Sequence, residues 1–473
     1  MKTARRITRN FLILTVSEVI AKFLQLAIFI FLARFYKPEI FGHFGFALAF
    51  SSIVAIIADF GLSQILIREI SRDKENVGRY VSNALVSKLF LSVGAFLVAF
   101  GYLWIFDYGD ELKAVAYFMV LFMVIQSFTD IFYSVFRAFE RMQYDAMLKV
   151  LRMVMLSALV AMSLGSGASL TTTIAMFPAT EAFVMVVSML IYSRKFKGAS
   201  FGLDYSFTVN LLKKSSLFCL SMAFVSLLFY IDSIMLERMR GVEEVGVYTA
   251  AFNLLVGLTF IPLMYANVIF PVFSRYFVAD RELLRFAFRK SYSYMFMLGL
   301  PIAIGIFFYA ENIIALIYGD GYGRSILALK ILASIMFFRF LNLVSGTLLS
   351  SVNKQHSRVL SQGIVAATNI ILNIMLIPRF GFAGAGIATV ISEGLFLLLY
   401  TFFVRRYGLG FGGIKTYIKP IGASIIMASV LYFISDLFLG AILGAAVYIA
   451  CLIAFRAFGK EDKVLLMRIL KDI

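Results

Sequence analysis

Apolar positions along this chain come in runs of 18 to 25 residues, not in the stripes of amphipathic soluble helices. As helices rising about 1.5 Å per residue, such runs cross a hydrocarbon core of roughly 30 Å. Fourteen can be drawn: 10–33, 41–67, 80–106, 114–136, 146–164, 170–193, 215–236, 245–271, 291–310, 327–351, 357–377, 382–404, 416–436 and 438–458. They are too long and too uniformly apolar for barrel strands, which alternate and stop after about 10 residues. The pattern predicts an all-α polytopic membrane protein of about 14 transmembrane helices. No small-residue cleavage site follows a short apolar core near the N-terminus, so the first run is expected to be a retained span. The segments between spans are too short for an inserted soluble domain. Membrane-embedded glycosyltransferases and ligases usually carry such domains, so an intramembrane enzyme is not expected.

Composition narrows the classes further. Of 473 residues, 61% are hydrophobic and 15% charged, whereas a soluble chain needs about a quarter charged to cover its surface. A soluble enzyme and a disordered chain are thereby excluded. Cys219 and Cys451 both lie inside apolar runs and read as small hydrophobes, with no disulfide framework implied. His43 and His356 sit in or beside separate short loops and suggest no shared metal or catalytic site. There is no Gly-x-x-x-x-Gly-Lys-Ser/Thr run for ATP hydrolysis. Neither a metal nor a cofactor is expected.

The net charge of +17 would point to nucleic acid in a soluble protein. In a membrane protein its placement matters more. With the N-terminus in the cytoplasm, 33 of the 44 Lys and Arg residues fall in cytoplasmic segments, eight in outer loops and three within spans. Arg137, Arg141, Lys149 and Arg152 are counted with the segment after span 4. This bias predicts both termini in the cytoplasm and removes nucleic acid as a partner.

The chain also repeats itself. The stretch 31–42 aligns with 235–246 at an offset of 204, matching Leu32 with Leu236, Arg34 with Arg238, Glu39 with Glu243 and Gly42 with Gly246. Glu181 and Glu393 match at an offset near 212. Two six-helix bundles are expected, over 1–200 and 201–410, with two further helices and a cytoplasmic tail in 411–473. Both copies start on the same side, so the repeat is parallel, an arrangement in which transporters hold substrate between the halves and rock them for alternating access.

Particular blocks carry a resemblance to a known family. They include Tyr230-Ile-Asp-Ser-Ile-Met-Leu-Glu, Val245-Gly-Val-Tyr-Thr-Ala-Ala and Phe270-Pro-Val-Phe-Ser-Arg. Phe60-Gly-Leu-Ser and Phe380-Gly-Phe-Ala-Gly-Ala-Gly belong with them. Over about residues 7–455 the chain resembles the Wzx-like O-antigen and oligosaccharide flippases of the multidrug/oligosaccharidyl-lipid/polysaccharide (MOP) superfamily. The resemblance implies two six-helix bundles facing a central cavity. It also implies transfer of a polyprenyl-(pyro)phosphate-linked oligosaccharide from the inner to the outer leaflet of the cytoplasmic membrane.

Ionisable groups in hydrocarbon cost at least ~2.5 kcal/mol each, so each needs a partner, water or a function. Lys22, Lys88 and Arg339 lie within spans. They are candidates to hold the substrate phosphate in a cavity. The alternative is internal ion pairing, which for Lys22 would use Glu18 one turn earlier; Lys88 could instead snorkel to the interface. Carboxylates within spans are Glu18, Asp59, Asp130, Glu181, Asp232 and Glu393. They are candidates for coupling transport to H+ or Na+, or for helix packing. Gln25, Asn342, Asn369 and Asn373 could bond sugar hydroxyls or glue helices together. Pro262 is a hinge candidate in span 8.

The expected function is a lipid-linked oligosaccharide flippase, not an enzyme, working with membrane lipids around it and able to act as a monomer. The alternative is a cation or drug antiporter of the multidrug and toxic compound extrusion type. Such an exporter should present carboxylates, whereas Lys22 and Arg339 present positive charge.

Overall fold

A computed structural model describes residues 2–196, 202–413 and 415–457, with side chains described from Leu14 onward except Lys415. Lys197 and the tail beyond Ala457, part of the positive charge assigned to the cytoplasm, lie outside the described residues. The described elements are helical. The first part of the chain forms α1 (Lys2–Phe35), α2 (Pro38–Asp59), α3 (Leu62–Arg72), α4 (Val77–Ile105), α5 (Asp110–Ala138), α6 (Met142–Gly165), α7 (Leu170–Lys195), α8 (Tyr205–Arg240) and α9 (Val242–Leu258). There follow α10 (Phe260–Ala279), α11 (Arg281–Phe308), the short α12 (Ala310–Tyr318) and α13 (Gly323–Ser351). The chain then continues with α14 (Gln355–Phe380), α15 (Phe382–Arg406), α16 (Lys415–Tyr432) and α17 (Leu437–Ala454). Among the described residues, thirteen helical segments are long and apolar enough to cross a membrane, and Thr416–Tyr432 is a shorter apolar helix where the thirteenth span was drawn.

Two compact units result. The first holds the chain through Asn253 together with Ile370–Phe382; the second holds Leu254–Asn369 and the chain from Ala383. In the first, α5 packs on α7 and α2, and α1 packs on α6. In the second, α11 packs on α13 and α16, and α16 on α17.

Two of the Phe-Gly blocks mark helix breaks. Phe60 and Gly61 both take left-handed φ (49° and 73°), ending α2 and starting α3 within what the sequence shows as one apolar run. A Cβ on Gly61 would lie 2.7 Å from the Cys219 amide nitrogen and 2.8 Å from the Ser215 carbonyl, so glycine also lets α8 approach. Gly381, at φ 56°, separates α14 from α15 in the same way. Span 8 breaks too: α9 ends at Leu258 and α10 starts at Phe260, placing the hinge candidate Pro262 in the first turn of α10. Proline is tolerated there because the missing N–H would have no helical partner in that turn.

The start of α8 is fixed by Asp204. Its Oδ1 accepts the Phe207 amide at 3.0 Å and its Oδ2 accepts Arg79 at 2.5 Å. Asn83, fully buried on α4, accepts the Asp204 amide and donates to the Gly202 carbonyl. The capping amide of Phe207, then Arg79, holds the Asp204 carboxyl below the usual carboxylate range. A carboxylate depressed in this way contributes stability above its unfolded value, near pH 4, that is lost as pH falls through the lower folded value. The hydrogen-exchange protection of residues 205–211, relative to the unfolded chain at the same pH, is therefore expected to fall below about pH 4. Asp204→Ala should already exchange fast at pH 7 and lose that pH dependence.

Candidate functional site

The intramembrane polar residues gather into clusters. In the first unit, Lys88 is fully buried, with Nζ 2.6 Å from Asp59 Oδ1 and 3.2 Å from Ser63 Oγ, and it also donates to the Ser127 carbonyl. Ser63 Oγ donates to the same Asp59 oxygen at 2.5 Å. The expected snorkelling does not occur: three acceptors around the ammonium hold it among α2, α3, α4 and α5. Lys88 is thus enclosed within the unit, not open to a ligand.

A second pair in the same unit joins α6 and α7. Arg152, 8% exposed, donates to fully buried Glu181 at 3.2 Å. The charge count had placed Arg152 among the cations that set topology. Instead it lies ten residues inside α6, and its neutralising partner is 29 residues away on the next helix. The sequence carried the signal, because Arg152 already fell inside the run drawn at 146–164. At the start of α6, buried Asp145 accepts Arg137 at 2.7 Å and pairs with Lys149 at 3.5 Å.

Lys22 differs from these. Glu18 was its expected partner, but the Glu18 carboxylate takes Lys149 from α6. The Lys22 ammonium donates to the neutral Gln25 amide oxygen at 3.0 Å. Its side chain is exposed and makes no ion pair among the described residues, near the middle of the Leu14–Phe35 span. Asp130 on α5 is half-buried, and its carboxylate makes no hydrogen bond or ion pair among the described residues.

Also in the first unit, the Asp232 carboxylate on α8 accepts the Tyr248 hydroxyl at 2.7 Å and the Asn373 amide at 2.6 Å. It is 1% exposed, eight residues before the end of α8. The end of α8 holds the same stretch of α14, with Arg240 donating to the Ile377 and Pro378 carbonyls. Asn369, one turn before Asn373, is likewise buried.

In the second unit the cluster is Arg339, Asn342 and Glu393. Arg339 Nε donates to Glu393 Oε1 at 2.9 Å, and Asn342 Nδ2 donates to Glu393 Oε2 at 2.9 Å. Arg339 is 7% exposed. Glu181 and Glu393, equivalent in the sequence repeat, therefore each meet an arginine, but from α6 in one unit and α13 in the other. Among the described residues, no group of three His, Cys, Asp or Glu side chains is placed to hold a metal ion.

The helices α2 and α9 approach each other closely and reciprocally. A Cβ on Gly42 would lie 1.9 Å from the Val242 carbonyl oxygen, and one on Gly246 would lie 1.9 Å from the Pro38 carbonyl oxygen. Both equivalences, Gly42 with Gly246 and Pro38 with Val242, have the offset of 204 found in the sequence.

The profile of the family described as "Polysaccharide biosynthesis protein" matches residues 7–277. The chain belongs to this family. A second profile, MatE, matches residues 218–376. The chain is similar to the "Probable low-salt glycan biosynthesis flippase Agl15" of Haloferax volcanii, 25% identical and covering 93% of this chain and 94% of that one. It is also similar to the capsular polysaccharide biosynthesis protein CapF of Staphylococcus aureus, 20% identical over 84% of this chain and 99% of that one. In fold it resembles the lipid II flippase MurJ in an inward closed conformation. The TM-score is 0.79 at 15% identity, covering 94% of this chain and 99% of that one. An inward-facing multidrug resistance transporter of the MOP superfamily has a TM-score of 0.66 at 19% identity, covering 82% and 94%. The family thus shares the MOP transporter fold.

Proposed function

We propose that the protein is a flippase that moves a polyprenyl-(pyro)phosphate-linked oligosaccharide across the cytoplasmic membrane by alternating access, in polysaccharide or glycan biosynthesis. The observation that carries this reading is Lys22. An exposed ammonium in mid-span, bonded to a neutral amide, needs water or an anion beside it. A lipid-linked phosphate is such an anion, and the full-length likeness to glycan flippases supports that choice.

The carboxylates weigh against the antiporter reading, which the MatE match keeps in view. Glu18, Asp59, Glu181 and Glu393 each face a Lys or Arg, and Asp232 is held by Tyr248 and Asn373. Of the six span carboxylates, Asp130 is the one with no bonded partner among the described residues and, with Asp232, is where H+ or Na+ coupling would act. Lys88 and Arg339 act in this reading as helix-pinning ion pairs, with phosphate contact falling to Lys22. The chain works as a monomer with both termini in the cytoplasm, its two six-helix copies over 1–200 and 201–410.

Reconstituted protein is expected to transfer a labelled polyprenyl-pyrophosphate sugar between leaflets. Charge-assisted hydrogen bonds are worth about 1.5–3 kcal/mol, so Lys22→Ala should slow transfer at least about tenfold while still inserting, and Lys22→Arg should retain it. Absent transfer alongside proton-coupled efflux of an organic cation would overturn the flippase reading.

A further inference from the structure

Beside the transport machinery, the second unit carries a groove that no step above uses. It has a volume of about 690 Å³ and runs along α11, the start of α12, α16 and α17. Leu298, Ile302, Met427, Leu431 and Ile449 are among its walls. Two of its three tyrosine hydroxyls are already committed: Tyr309 donates to the Ile434 carbonyl at 3.0 Å and Tyr448 to the Met297 carbonyl at 2.8 Å. The groove therefore offers an occupant mainly apolar contact. Ile418, Ile425, Ile442 and Ile453 on the same two C-terminal helices are more than half exposed, as on a face bathed in lipid.

At one end, two groove residues, Tyr294 and Met297, also line a second pocket of about 300 Å³. That pocket is basic. Arg289 and Lys290 contribute its charge, Ser293 and Thr416 hydroxyls, and among the described residues no acidic side chain lines it. The Arg289 stem lies along Gly412, where a Cβ would stand 3.6 Å away. One turn earlier, Arg285 is occupied by the Gly408 carbonyl and Glu282. Arg289 makes no hydrogen bond or ion pair among the described residues. The Lys290 ammonium stands 5.7 Å from the Phe286 ring centre.

We infer that this face binds an anionic phospholipid of the surrounding membrane, with its phosphate between Arg289 and Lys290 and an acyl chain along the groove. A basic pocket opening directly onto an apolar channel matches an amphiphile with a charged head and a hydrocarbon tail. A head pocket near the lower end of ligand-site volumes suits a phosphate better than an oligosaccharide. With two of three tyrosine hydroxyls committed and the other walls apolar, the groove suits a hydrocarbon tail better than sugars. The inference is independent of which substrate is transported.

The test titrates delipidated full-length protein in detergent with dioleoylphosphatidylglycerol or dioleoylphosphatidylcholine, reading bound lipid by native mass spectrometry. Phosphatidylglycerol should bind at least about tenfold more tightly, as two cations near an anionic head allow. The double variant Arg289→Gln/Lys290→Gln should erase that preference and leave phosphatidylcholine binding unchanged. Gly305→Leu fills the groove from a position where a Cβ meets nothing within 4 Å, and should weaken phosphatidylglycerol binding with both cations intact. Equal binding of the two lipids, or a preference surviving the double variant, would overturn the inference. So would glycerol 3-phosphate binding as tightly as the lipid, which marks a free-anion site, or binding of a polyprenyl phosphate without phosphatidylglycerol.

Discussion

Lys88→Met is expected to destabilise the protein by about 3–5 kcal/mol, because it leaves the Asp59 carboxylate charged in an apolar interior with only the Ser63 hydroxyl beside it. The loss also strips the Ser127 carbonyl of its ammonium donor. The cost arises from the orphaned partner more than from the pair itself. The double variant Lys88→Met/Asp59→Leu should consequently recover most of the stability, since neither charge then needs solvation. The unfolding midpoint in detergent, with the double-variant cycle, measures this coupling. A single variant costing under about 1 kcal/mol would remove the pair from the structural core. A variant that stays folded yet stops lipid transfer would return Lys88 to the substrate path.

Gly42→Ala and Gly246→Ala are expected to be comparably severe, each costing about 3 kcal/mol or more. Each new methyl would fall 1.9 Å from a backbone carbonyl oxygen of the facing helix, Val242 or Pro38. A side chain could rotate away; a main-chain carbonyl at a helix start can yield only if the helices separate. Such close approach through small residues is the usual way apolar helices pack in lipid, where burial of hydrocarbon supplies no drive between them. Gly94→Ala on α4 is the control, because a Cβ there meets nothing within 4 Å. It should be neutral or stabilise by about 0.5–1 kcal/mol through helix propensity. Equal thermal shifts for Gly42→Ala and Gly94→Ala would contradict the close α2–α9 contact.

Much of the architecture was legible before any coordinates. Long apolar runs must become helices in lipid, because a spanning backbone has to satisfy its own hydrogen bonds. The offset of 204 pointed to two copies, and Gly42 and Gly246 meet at that offset. Less visible were interruptions inside apolar runs: hydropathy does not change at Phe60-Gly61 or at Thr259, yet the helices stop there. A left-handed glycine or a proline in a first turn carries that information in dihedral angles, not in hydrophobicity.

The site was legible as a set of residue types, not as a set of partners. Lys22, Lys88, Arg339 and the six carboxylates stood out because charge in hydrocarbon is costly wherever it falls. Which of them stays open depends on the rotation of each helix and on its neighbour. Glu18 lies one turn from Lys22 yet reaches Lys149 on another helix, and Asp232 finds Asn373 on α14. Arg152 looked like a topological cation until Glu181 proved to stand beside it. Sequence alone thus determined the spans and the inventory of buried charge, because those follow from local composition and period. Only tertiary structure decided that most of those charges neutralise one another and that Lys22 is left exposed. Pairing is a property of distances between helices, and nearly uniform apolar surfaces leave no sequence pattern from which those distances can be read.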